Sequence, residues 1–79
     1  MDNLKANEIL DLKGVPCPQN SARTLLKLNG MDSGEILEVI VDDGEPIENV
    51  PSSLEDEGYK IIKKTQSNDS QWHLFVKVE

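Results

Sequence analysis

The fold of this chain is most constrained by two short strand-like runs that flank a single helix-like run. Residues 9–12 form an alternating run that ends at Lys13-Gly14, and residues 35–41 alternate with Leu37, Val39 and Val41 on one side. Between these runs, residues 18–29 have helical periodicity. Two strands joined by one helix are expected to lie parallel through a right-handed crossover, and the second strand is predicted to be central.

The helix-like run carries signals for both of its ends. Pro18 suits the first helical position, Gly30 follows the last, and Lys27 lies in the last turn, where a cation favours the helix dipole. The spacing also predicts an apolar face and a polar face. The apolar face carries Ala22, Leu25, Leu26 and Asn29, and the polar face carries Asn20, Arg23, Thr24 and Lys27.

The segment after the turn cluster 42–46 has two interpretations. Ile47, Val50 and Leu54 have helical spacing, but Pro51 lacks an N–H and disfavours the α conformation before it. One possibility is a single helix kinked at Pro51, with the acidic residues 55–57 at its negative end. The other is a turn and a short helix capped by Ser52-x-x-Glu55, in which those residues lie in the first turn. A helical segment with a break or kink at Pro51, closed by Gly58, is expected.

The last third of the chain predicts a β-hairpin. Residues 59–65 and 71–78 alternate, and turn-forming residues 67–70 lie between them. Trp72, Leu74, Val76 and Val78 share one face of the final strand. The element order is therefore βαβαββ, and residues 1–79 are expected to form one domain of the α/β (α+β) class. This domain is a two-layer sandwich with a four-stranded mixed sheet and both helices on one face.

The charge and the N-terminal segment restrict location and partners. Fifteen acidic and eight basic side chains give a formal net charge of −7, which disfavours general nucleic-acid binding and suits transient docking on basic protein patches. Residues 1–8 are polar and no stretch is long and apolar enough for membrane insertion, so a cytoplasmic location is expected.

Cys17 is the candidate reactive residue. It is the only cysteine, so no internal disulfide or CxxC cycle is possible, and one thiol with one histidine, His73, makes no credible metal site. A thiol at a helix start is expected to have a pKa below that of an exposed thiol, because the dipole and free N–H groups favour the thiolate. Pro16 and Pro18 stiffen its surroundings. The structural alternative is an inert, buried residue at the helix start.

The residues around Cys17 resemble the TusA/SirA-like sulfur-carrier family. Gly34-Glu35 and Asp42-Asp43 follow at family-like spacing, and Gly58-Tyr59 precedes the hairpin. The family motif joins a strand end to a Cys-Pro-x-Pro helix start. It is carried here by Leu10, Asp11, Leu12, Lys13, Gly14, Val15, Pro16, Cys17 and Pro18. Two positions differ, because Asn20 stands at the second motif proline and Lys13 at the usual arginine. Asn20 keeps its N–H, so the helix start is expected to survive.

The resemblance implies a fold like that of the C-terminal domain of translation initiation factor three, and a function in sulfur transfer. Cys17 would accept a sulfane sulfur as a persulfide from a cysteine desulfurase or a rhodanese-type protein and pass it to an acceptor protein. Such routes supply tRNA thiolation, molybdenum-cofactor synthesis or other sulfur metabolism, and the chain itself would bind no cofactor or metal. Gly14, Pro16, Pro18 and Asn20 would shape the loop, with Asp11 and Lys13 beside it. The alternative is a noncatalytic module that docks through the acidic segments 42–45 and 55–57.

Overall fold

The computed structural model describes residues 6–16, 19–68 and 70–78. The elements follow in the predicted order: β1 (Glu8–Asp11), α1 (Gln19–Asn29), β2 (Ile36–Asp42), α2 (Glu45–Asp56), β3 (Lys60–Asn68) and β4 (Gln71–Lys77).

The strands form one mixed sheet in the order β1-β2-β4-β3. β1 is parallel to β2, as expected for strands joined by a helix, whereas β4 is antiparallel to both β2 and β3. The prediction of a central second strand is confirmed, since β2 has a neighbour on each side. The register aligns Leu10 with Val39 and Val39 with Leu74, and a bulge interrupts β3 between Ile61 and Lys63.

The core lies between one face of this sheet and the two helices. The inward positions of the central strands have no exposed surface, and they are Leu37, Val39, Val41, Leu74 and Val76. Leu28 of α1 and Val50 and Leu54 of α2 belong to the same buried cluster. Burial of apolar side chains between the layers is the main stabilising contribution. The predicted two-layer α/β sandwich is confirmed.

The predicted faces of α1 are wrong. The buried residues of this helix are Asn20, Ser21, Thr24 and Leu28, whereas Leu26 is 75% exposed. The hydroxyl of Thr24 is satisfied by donating to the carbonyl oxygen of Asn20 at 2.8 Å, so a polar side chain can occupy the interface with little cost. Leu28 and the following Met31 supply the apolar contact instead.

Of the two interpretations of the segment around Pro51, the single helix is the one found: α2 continues through Pro51 without a break. Gly44, with a φ of 100°, precedes the helix, and Pro46 occupies its first turn, a position where the missing N–H is harmless. Three side chains on one face, Ile47, Val50 and Leu54, are buried and hold the helix on the sheet. The helix closes at Gly58 as expected, and residues 55–57 lie at its negative end.

Among the described residues, no helix has the length and apolar character needed to cross a bilayer.

Candidate functional site

The candidate site is the connection between β1 and α1, at the sheet edge where the carboxyl ends of two parallel strands meet. The pairing of β1 with β2 extends one residue further, because the Leu12 N–H donates to the Ile40 carbonyl oxygen at 2.8 Å. Leu12 is buried in the core. The chain therefore leaves the sheet from a firmly held position.

Hydrogen bonds hold the first half of this connection. The Lys13 N–H donates to Oδ1 of Asp11 at 3.0 Å, and the Val15 N–H donates to the Leu12 carbonyl oxygen at 3.0 Å. The Gly14 N–H donates to Oδ2 of Asp42, the last residue of β2, at 2.7 Å. Gly14 has a φ of 77°, which glycine adopts at little cost, and no heavy atom lies within 4 Å of the position its Cβ would take. Its backbone conformation, and not close packing, is the reason for a glycine here.

The second half leads into α1. The Asn20 N–H donates to the Pro16 carbonyl oxygen at 3.1 Å, a bond between residues four apart that belongs to a helical turn. The expectation that Asn20 keeps its N–H and that the helix start survives is confirmed. Cys17 and Pro18 lie outside the described residues. The structure thus describes the held loop before them and the helix after them.

Asn20 is fully buried, which the sequence did not indicate. Its Oδ1 accepts a hydrogen bond from the Ser21 N–H at 2.7 Å, while its Nδ2 has no hydrogen-bond partner among the described residues. The Oδ1 assignment follows from this contact, because the reverse orientation would set two donors against each other. An unpaired buried donor costs about 1–3 kcal/mol. The asparagine that stands at the second motif proline, three positions after Cys17, therefore lowers the stability of the fold.

Two charged candidate residues, Asp11 and Lys13, lie close together on the loop. Their side chains form an exposed ion pair, with Nζ of Lys13 3.6 Å from Oδ2 of Asp11. An exposed pair of this kind contributes little to stability. The positive charge of Lys13 is therefore partly offset by the adjacent carboxylate.

His73 lies two strands away from Asp11, in the same row of the sheet. Nδ1 of His73 lies 2.5 Å from Oε2 of Glu38 on the face of the sheet away from the helices. Within the described ranges, no group of three or more metal-ligating side chains comes together.

The acidic segments predicted as a docking surface have different roles. Asp42 accepts the Gly14 N–H, and Oδ1 of Asp43 accepts the Nε1–H of Trp72 at 2.8 Å. Residues 55–57 are exposed. The sequence analysis did not identify Asp42 as a tether of the candidate loop. The predicted parallel pairing of β1 and β2 indicated it, because the residues that end two parallel strands meet at one sheet edge.

Comparison with known proteins adds a family match. The family model described as Sulfurtransferase TusA matches residues 8–78. A protein of Archaeoglobus fulgidus named "Putative sulfur carrier protein" is 39% identical over 74 residues, covering 94% of this chain and 84% of the relative. The "Putative sulfur carrier protein YedF" of Escherichia coli K12 is 32% identical over 77 residues, covering 98% of this chain and all of the relative.

A solved structure has the same fold. The SirA-like protein from Desulfitobacterium hafniense superposes with a TM-score of 0.71 at 23% identity, covering 91% of this chain and 99% of that one.

Proposed function

Because the chain belongs to the sulfurtransferase TusA family, we propose that it is a sulfur carrier that holds a sulfane sulfur as a persulfide on Cys17. The family match is the observation that carries this proposal. The held loop on one side of Cys17 and the helix on the other support it, since they limit the ordering needed when a partner docks.

The loading step is an exchange between sulfur atoms. The Cys17 thiolate attacks the terminal sulfur of a donor persulfide, and a new S–S bond forms at Sγ of Cys17. The S–S bond of the donor breaks, and the donor cysteine leaves with the electron pair as a thiolate. In the delivery step, an acceptor thiolate attacks the terminal sulfur and Cys17 leaves as the thiolate. Sulfur oxidation state is conserved overall, so neither step needs an external oxidant or reductant.

The proposed partners are proteins with reactive thiols. A cysteine desulfurase or a rhodanese-type protein is the donor, and a protein of tRNA thiolation, molybdenum-cofactor synthesis or other sulfur metabolism is the acceptor. A reducing compartment such as the cytoplasm suits this chemistry, because it keeps a lone thiol from forming mixed disulfides. Gly14 and Asp42 hold the loop, and Lys13 and Asp11 supply charges at the partner surface.

Mass spectrometry tests the proposal directly. Incubation of the reduced protein with a cysteine desulfurase, pyridoxal phosphate and cysteine should add the mass of one sulfur atom, and dithiothreitol should remove it. Polysulfide loading serves as a donor-independent route to the same adduct. The adduct should persist, since no second cysteine can expel the sulfur as an internal disulfide.

The matched control is Cys17→Ser, which should not gain sulfur under either treatment. Its thermal midpoint should stay close to that of the parent protein, because a serine hydroxyl can cap a helix as well as a thiol. If neither treatment modifies the folded, reduced parent protein, the carrier proposal is wrong. A loss of several kcal/mol in Cys17→Ser would instead identify a packed, structural cysteine.

A further inference from the structure

The face of the sheet away from the helices is not covered by any described part of the chain. We call it the open face. Strand alternation and the register assign its side chains, which are Ile9, Asp11, Ile36, Glu38, Ile40, Asp42, Lys60, Lys63, Thr65, Gln71, His73, Phe75 and Lys77. The solvent-facing side of the sheet in a two-layer protein is normally polar. Apolar residues on the open face therefore indicate a contact with another molecule.

Apolar side chains surround the Glu38–His73 pair at the middle of the open face. Ile9, on β1, is 63% exposed and lies in the same row as Glu38 and Phe75. Ile36 and Ile40 flank Glu38 on β2, and both are partly exposed. These four apolar side chains lie on three adjacent strands around Glu38, with Ile9 exposed and the others partly buried. Apolar surface gathered on one face is typical of an interaction site.

The charges of the open face separate across the sheet. Its three acidic residues, Asp11, Glu38 and Asp42, lie on β1 and β2, and its three lysines, Lys60, Lys63 and Lys77, lie on β3 and β4. None of these lysines has an ion-pair partner within the described ranges. The strand order β1-β2-β4-β3 therefore gives the face a negative half and a positive half.

We propose that the open face binds a second copy of this chain across a two-fold axis parallel to the strands. An axis between β2 and β4 would lay β1 of each copy over β3 of its partner, and the negative half of each copy over the positive half of the other. A two-fold axis perpendicular to the strands would instead place acidic residues against acidic residues. Charge complementarity therefore selects one of the two face-to-face arrangements.

The charged groups at the centre of the open face are compatible with burial under a second copy. Glu38 is already satisfied by His73 within each copy, at 2.5 Å, so closing the face leaves no unpaired carboxylate at that position. The face carries equal numbers of lysines and acidic residues, although the chain has a net charge of −7. The excess negative charge lies outside the contact, so it opposes association only through screened, longer-range repulsion.

The size of the face limits the affinity. Four strands that average about seven residues span roughly 19 Å by 23 Å, so a dimer would bury roughly 900 Å² in total, which is below the size of most specific interfaces. We therefore expect reversible dimerisation that depends on concentration.

Sedimentation velocity over a concentration series, in the presence of reductant, tests the proposal. The protein should shift from monomer to dimer, and Phe75→Gln should weaken the association by about tenfold or more, because it removes apolar contact at the centre. Leu26→Gln is the matched control, since Leu26 is an exposed apolar residue in the helix layer, and it should leave dimerisation unchanged.

A charge exchange tests the orientation of the two copies. Asp11→Lys and Lys63→Asp should each weaken self-association, because like charges then meet on both sides of the two-fold axis. An equimolar mixture of the two variants should dimerise again, since a mixed pair restores opposite charges at both contacts. Circular dichroism confirms that each variant is folded.

Three results would overturn the proposal. They are a parent protein that stays monomeric at every concentration, a dimer insensitive to Phe75→Gln, and variants that fail to recover on mixing.

Discussion

The polar residues around the candidate loop differ in how completely they are satisfied. Asp42 lies at the end of β2 and accepts a backbone N–H from a segment 28 residues away in sequence. Asn20, in contrast, is fully buried, and its amide donor has no partner in the part of the chain that the structure describes. One residue therefore positions the loop, and the other lowers the stability of the helix start.

Two isosteric substitutions at Asn20 should have different effects. Asn20→Asp should lower the free energy of unfolding by about 3 kcal/mol or more at neutral pH, because it buries a carboxylate without a cation. Asn20→Leu should stay within about 1 kcal/mol of the parent, since it removes the unpaired donor as well as the hydrogen bonds that Oδ1 accepts from Ser21. Urea denaturation measures the free energy of unfolding of both variants. Equal stability of the two variants would show that water reaches this site.

Loss of the Asp42 tether should loosen the loop locally. Asp42→Ala should reduce the free energy of unfolding by about 1 kcal/mol, because the Gly14 N–H loses a charged acceptor but remains accessible to water. The Gly14 amide should also exchange hydrogen faster, which NMR can follow. Asp56→Ala, at an exposed position of α2, is the control and should leave that amide unchanged. An unaltered exchange rate in Asp42→Ala would mean that other contacts hold the loop.

At the scale of single elements, tertiary burial overrides local signals in both helices. α1 presents Asn20, Thr24 and Leu28 to the core and leaves Leu26 exposed. α2 continues through Pro51 with Val50 and Leu54 fully buried. The apolar contacts of α2 offset the missing hydrogen bond at the proline.

Replacing this proline should therefore stabilise the protein. Pro51→Ala restores a backbone N–H that can donate to the carbonyl oxygen of Ile47, and alanine is the better helix former, so the free energy of unfolding should rise by about 1–2 kcal/mol. Chemical denaturation measures the change. Ser52→Ala, at the next and exposed position, is the control and should change it by less than about 0.5 kcal/mol. Destabilisation by Pro51→Ala would mean that packing of the ring outweighs the lost bond.

The whole molecule combines a neutral open face with an acidic remainder. The described lysine–carboxylate ion pairs, Lys13 with Asp11 and Lys27 with Glu8, involve partly exposed side chains, so they contribute little. Repulsion among the excess carboxylates is thus the dominant charge effect on stability.

Added salt should consequently stabilise the folded chain. Because the net charge is −7, screening by sodium chloride should raise the thermal midpoint at neutral pH. The measurement belongs at low protein concentration, where dimerisation does not contribute. Near the sequence isoelectric point of about 4.5 the salt dependence should largely disappear. A midpoint that falls with salt at neutral pH would show that the ion pairs outweigh the repulsion.

Local sequence patterns were sufficient for the elements and their order. Alternation in residues 35–41 and 71–78, helical spacing from residue 18, and glycines at the ends predicted βαβαββ because these signals depend on near neighbours. The parallel pairing of β1 and β2 followed from the single helix between them, and it located the loop that contains Cys17. The motif residues supported the family assignment without any coordinates.

Long-range contacts decided the features that local sequence patterns did not predict. The rotation of α1 about its axis, the continuity of α2 at Pro51 and the tether from Asp42 to Gly14 all depend on which surfaces pack together and in what register. Asn20 is buried for the same reason, although its residue type is usually exposed. The two charged halves of the open face appear only when the strand order places β1 and β2 on one side of the sheet and β3 and β4 on the other. A linear sequence specifies such arrangements only through the total free energy of the fold, which no local pattern reports.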